Sequence, residues 1–121
     1  MTYQPTQKSR QALEHLYSLE KVQKALTYIE QDHERTMEQQ IELCLIPAPT
    51  FHEENKAKRL AQMFEEAGLA DVTITPYGNV TCVRKGTKSS RKVVLDGHMD
   101  TVYPLDTPLT HSLHRHDFLT I

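Results

Sequence analysis

The chain has 121 residues, with 14 basic against 16 acidic side chains, a net charge of -2 and 38% hydrophobic content. No basic stripe with interleaved aromatics occurs, which argues against a nucleic-acid surface, and no apolar run is long enough for a membrane helix. Met1-Thr2-Tyr3-Gln4-Pro5 lacks the charged-then-apolar start of a secretory leader, so a cytoplasmic address is expected.

In the amino-terminal third, Leu16, Leu19, Val22, Leu26 and Ile29 recur at three- and four-residue steps, which predicts helix with one apolar face. Met37, Ile41, Cys44 and Leu45 continue a similar stripe up to Pro47. Such stripes usually pack into a core, and one left uncovered becomes adhesive. Cys44 and Cys82 lie among apolar neighbours and, in a chain without a leader, read as reduced, buried thiols.

Thr50-Phe51-His52-Glu53 has the form of a capping box, in which the threonine hydroxyl accepts from the third amide and the glutamate returns to the cap. The helix it predicts carries Ala57, Leu60, Ala61, Phe64 and Ala67 on one side and ends at Gly68. Glu53 and Glu54 then complement the helix dipole rather than act as acid or base. Two strands follow, 72–75 and 80–85, joined by the turn Pro76-Tyr77-Gly78-Asn79. The polar linker 86–91 leads into Lys92-Val93-Val94-Leu95-Asp96, whose apolar β-branched run predicts a strand in a sheet interior. Helix, hairpin and apolar strand in series predict an α/β fold with helices packed on a mixed sheet.

Immediately after that run comes Gly97-His98-Met99-Asp100. Side chains alternate along extended backbone, so His98 and Asp100 face the same way and Met99 faces the other. A neutral imidazole is a zinc ligand, and a nearby carboxylate orients such a ligand through its second nitrogen. The spacing alone is a weak signal, because a turn histidine beside a capping aspartate has the same form. His15, His33 and His52 fall on helices or a cap and read as solvent-exposed. His111, His114 and His116 are close enough for a small zinc or nickel site, but no carboxylate or cysteine partner is spaced to close it.

The phrase Leu95-Asp96-Gly97-His98-Met99-Asp100-Thr101-Val102-Tyr103-Pro104 resembles the first metal-ligand motif of the di-zinc exopeptidases and deacylases. That family includes carboxypeptidase G, peptidase T, acetylornithine deacetylase and succinyl-diaminopimelate desuccinylase. The likeness extends upstream through Leu45-Ile46-Pro47-Ala48-Pro49-Thr50, Glu53, the helix ending at Gly68 and Tyr77-Gly78-Asn79-Val80, covering about residues 34 to 110 in order. The resemblance implies a catalytic domain of that family cleaving amide bonds of small peptides or N-acyl amino acids. It makes His98 a ligand of one of two zinc ions and Asp100 the catalytic-site carboxylate that orients the ligand shell. The family's bridging aspartate, glutamate pair, further carboxylate and last histidine have no counterpart in these residues.

The expected organisation is therefore an amino-terminal, truncated portion of a metallopeptidase-like catalytic domain over residues 1–110. Residues 111–121 form a divergent tail, for which a shift of reading frame is one account. Three functional classes follow: a segment of a metal-dependent hydrolase, a catalytically inactive truncation product, and a helical module that binds another protein through its amino-terminal stripe. Oligomeric state is left open, and no membrane or nucleic-acid partner is expected.

Overall fold

The computed structural model describes residues 4–87 and 92–110, together with backbone pairing at 112–113 and 119–120. Lys88–Arg91 of the predicted linker and the histidines His111, His114 and His116 lie outside the described residues. The chain divides into two compact units, Met1–Gln39 and Gln40–Ile121.

The first unit holds α1 (Gln7–Ser18), α2 (Glu20–Gln31) and the start of α3 (His33–Cys44). Thr6 caps α1 by accepting from the Ser9 amide at 3.2 Å. Leu19, with φ -76° and ψ 125°, leaves the helical region and separates α1 from α2. Asp32 closes α2, and its carboxylate accepts from Arg35 Nε at 2.7 Å and Nη2 at 2.9 Å, while Arg35 also donates to the Tyr28 hydroxyl at 2.8 Å. That knot fixes the α2–α3 joint. The expected apolar stripe is present, but Leu16, Leu19, Leu26 and Ile29 are exposed rather than packed into a core. The reason is supply: helices of 12 residues offer narrow apolar faces, and no layer of the unit lies over them.

The second unit is built on α4 (Glu54–Glu66), which lies against the antiparallel hairpin β1 (Ala70–Ile74) and β2 (Val80–Val83). Ala57 is fully buried, Leu60, Ala61 and Phe64 are half-buried, and Ala67 is exposed. Gly68, at φ 72°, ends the helix as expected. The Leu69 amide returns to Phe64 O at 3.0 Å and the Gly68 amide to Glu65 O at 2.9 Å, satisfying the last carbonyls. In the hairpin turn, Gly78 adopts φ 84° and its amide reaches Thr75 O at 2.9 Å. Asp71, at φ 55°, marks a bulge where the β1–β2 register shifts between Ala70 and Thr73. Arg59 of α4 clamps Glu42 at the end of α3 through both carboxylate oxygens and also reaches Glu66 Oε1 at 3.0 Å. β3 (Ser112–Leu113) pairs antiparallel with β4 (Leu119–Thr120).

Mixed helix and sheet is thus observed, but two expectations are corrected. Residues 92–96 form no strand: Val93, Val94 and Leu95 are 85%, 85% and 94% exposed. A strand exists only through a hydrogen-bonded neighbour, and no described segment runs alongside this one. The single parallel pairing among the described residues is the isolated bridge between Pro49 and Thr101. The capping box also does not form, since α4 begins at Glu54 and Glu53 provides no side-chain cap. No helix among the described residues is long and apolar enough to cross a membrane.

The Arg59 guanidinium holds the Glu42 carboxyl below its ordinary value of 4.5. A lowered folded-state pKa adds stability that is present above the unfolded value and lost as pH falls through the folded one. Urea unfolding of the chain should therefore weaken on acidification below about pH 4.5, and Glu42→Gln should remove part of that acid slope while leaving neutral-pH helicity intact. An identical acid slope in Glu42→Gln would show that the clamp does not contribute.

Candidate functional site

The site is assembled from two segments far apart in sequence. Ala48 and Pro49 follow α3, and Thr101 lies against them: its amide donates to Ala48 O at 2.7 Å within the Pro49–Thr101 bridge. Next to this seam, Thr50 Oγ1 donates to Asp100 Oδ2 at 2.7 Å. The predicted cap fails because Phe51 leaves the helical region and α4 begins only at Glu54, too far along for its first amides to be those that Thr50 would cap. The chain then turns sharply, with the His52 amide on Pro49 O at 2.8 Å and Phe51 held at φ 72°. Glu53 Oε1 accepts from the Phe51 amide at 3.0 Å, one residue beyond the amide that a capping box would use.

The second Asp100 oxygen meets the predicted partner. His98 Nδ1 lies 3.1 Å from Asp100 Oδ1, so the alternation of side chains does bring the two onto one side. The hydrogen bonds from Thr50 and His98 hold the Asp100 carboxyl below the usual aspartate value, and an ionised carboxylate only accepts. His98 therefore donates from Nδ1. In the neutral ring that leaves the Nε2 lone pair free, on a side chain that is 87% exposed.

Two residues behind this pair carry no functional expectation from sequence. Lys56, in the first turns of α4, is buried to 6% exposure. Burial pushes its pKa below the ordinary lysine value, and the negative potentials of Cys44 and Asp100 push back. Its position four residues before Leu60 and seven before Met63, on the apolar stripe of α4, was the available signal. Thr101 Oγ1 is also buried, without a hydrogen-bond partner among the described residues.

An imidazole whose Nδ1 is fixed by a carboxylate and whose Nε2 is open is the arrangement in which histidine ligates metal. His98 and Asp100 thus fit one ligand position with its orienting group. They do not make a closed site, for no cluster of three or more His, Cys, Asp or Glu side chains occurs among the described residues. Cys44 and Cys82 are free thiols, both half-buried, and His15, His33 and His52 are exposed as expected.

Comparison with known proteins gives little more. No protein-family model matches the chain. The uncharacterized protein YqjE of Bacillus subtilis (strain 168) is 34% identical over 80 residues, covering 60% of this chain and 22% of that protein. The chain thus spans about a fifth of the length of the relative it matches.

The Asp100 contact fixes a tautomer that nitrogen NMR can read. Neutral His98 should carry its proton on Nδ1, and Asp100→Ala should move it to Nε2. A wild-type ring already protonated on Nε2 would contradict the assigned contact.

Proposed function

We propose that this chain forms the amino-terminal part of a metal-dependent hydrolase that cleaves amide bonds of small peptides or N-acyl amino acids, a metallopeptidase or deacylase of the di-zinc exopeptidase kind. His98 is its zinc ligand and Asp100 the catalytic-site carboxylate that positions it. The observation carrying this reading is the doubly bonded Asp100, anchored by Thr50 on one oxygen and set against His98 Nδ1 by the other.

Each residue has a separate task. Thr50 fixes the carboxylate in rotation, Asp100 keeps the ring proton on Nδ1, and His98 presents Nε2 outward as a donor. Bound zinc in such enzymes lowers the pKa of a water and polarises a carbonyl. The general base that takes the water's proton belongs to the glutamate pair that the resemblance implies, which these 121 residues do not supply. One imidazole is also too few donors, because tight zinc binding needs three or four protein ligands.

Two preparations test the reading. The 121-residue chain should purify without stoichiometric zinc and leave dipeptides and N-acyl amino acids uncleaved. A chain extended in frame after Thr110 with a glycine-rich aspartate loop and the Glu-Glu pair should hydrolyse such substrates in a chelator-sensitive way. There, His98→Ala should abolish activity and Asp100→Asn should lower turnover about 10- to 100-fold with little loss of folding stability. Chelator-sensitive hydrolysis by the 121-residue chain alone, or zinc held equally well after His98→Ala, would overturn the proposal.

A further inference from the structure

Lys56 is the one charged side chain buried among the described residues, and the site just described gives it no task. It is 6% exposed, and its ammonium forms no ion pair among those residues. These residues cover it by themselves, so its burial does not depend on any further chain. A buried ammonium needs a partner or gives up its proton. Two groups send negative potential to it, Cys44 and Asp100. Asp100 is engaged on both oxygens, by Thr50 and by His98. Cys44 is a free, half-buried thiol that closes α3.

The fold brings this thiol and this amine together. Glu42 and Cys44 share the last turn of α3, while Lys56 and Arg59 lie one turn apart on one side of α4. Arg59 clamps Glu42 through both carboxylate oxygens, which draws the end of α3 to the side of α4 that carries Lys56. An amine sheltered from water beside a thiol can trap that thiol once it is oxidised. A hydroperoxide transfers one oxygen to Cys44 Sγ as its O–O bond breaks, giving the sulfenic acid and, from hydrogen peroxide, one water. Burial lowers the pKa of Lys56 and so favours its neutral amine. The Nζ lone pair then attacks Sγ, the S–O bond breaks, and the departing hydroxide takes a proton from nitrogen to leave as a second water. Sulfenic acids condense with backbone nitrogen in the same way. Sulfur loses two electrons and the peroxide gains them, and an S–N bond replaces one S–H and one N–H.

We propose that Cys44 and Lys56 form a peroxide-responsive pair that closes into a sulfenamide cross-link between the end of α3 and the start of α4. The pair stands apart from the hydrolase reading and uses neither His98 nor Asp100.

Peptide mapping of the 121-residue chain after treatment with hydrogen peroxide tests it. Cys82→Ser is the background, because a Cys44–Cys82 disulfide would give the same change in mass. Untreated chain should yield the tryptic peptide 36–56, which holds both residues. Treated chain should yield 36–58 instead, uncut after Lys56 and about 2 Da lighter, and dithiothreitol should restore the original peptide. Lys56→Arg, which keeps the charge, and Lys56→Met should each lose the lighter product and leave a Cys44 sulfenic acid that dimedone captures. Unchanged circular dichroism in both variants separates a lost amine from a lost fold. Four results would each overturn the proposal: a thiol that stays reduced, oxidation that runs on to sulfinic acid without the lighter peptide, a lighter product that persists in Lys56→Arg, or one that forms equally well in urea.

Discussion

Much of this structure hangs on one carboxylate. Asp100 accepts from Thr50 on one oxygen and faces His98 on the other, and the adjacent Thr101 amide bonds to Ala48. These contacts, with the Pro49–Thr101 bridge, tie residues 98–101 to the turn ahead of α4. Thr50 and Asp100 are 50 residues apart, so the join closes a long loop whose entropy must be met by few bonds. A charge-assisted hydrogen bond at 2.7 Å is among the stronger contacts available to meet it. The charge of Asp100 in turn offsets part of the burial that lowers the pKa of Lys56.

Unusual features cluster around the same join. Next to the Thr50–Asp100 bond Phe51 sits at φ 72°, a region costly for a side chain with a Cβ, and α4 starts only at Glu54. Strain and a lost cap are tolerated where a longer-range contact over-determines the backbone. The consequence for chemistry is directional: His98 is held by one nitrogen and offers the other.

Local features were legible in the sequence. The α4 stripe, its stop at Gly68 and the turn at Pro76–Asn79 depend on neighbours within a few residues, and they form where expected. The meeting of His98 and Asp100 followed from strand-like alternation, even though the backbone there is not in a ladder. What the sequence concealed was non-local. Thr50 has the spacing of a cap, and nothing near it reveals a partner 50 residues away. Val93–Leu95 carry the composition of an interior strand, but composition cannot supply the neighbouring strand and covering layer that make an interior. The breaks at Leu19 and Asp32 interrupt a continuous apolar periodicity without any glycine or proline to announce them. The bulge at Asp71 likewise has only a weak local signature. Zinc chemistry, by contrast, rests on the motif resemblance and on the geometry of a single histidine–carboxylate pair.

That pair can be interrogated without any activity assay. Zinc titration of the chain followed by site-resolved nitrogen NMR of His98 reads which ring nitrogen responds. The account predicts a weak, saturable shift at Nε2, with Nδ1 remaining protonated against Asp100. A shift at Nδ1, or a His98 ring indifferent to zinc while other histidines respond, would contradict it.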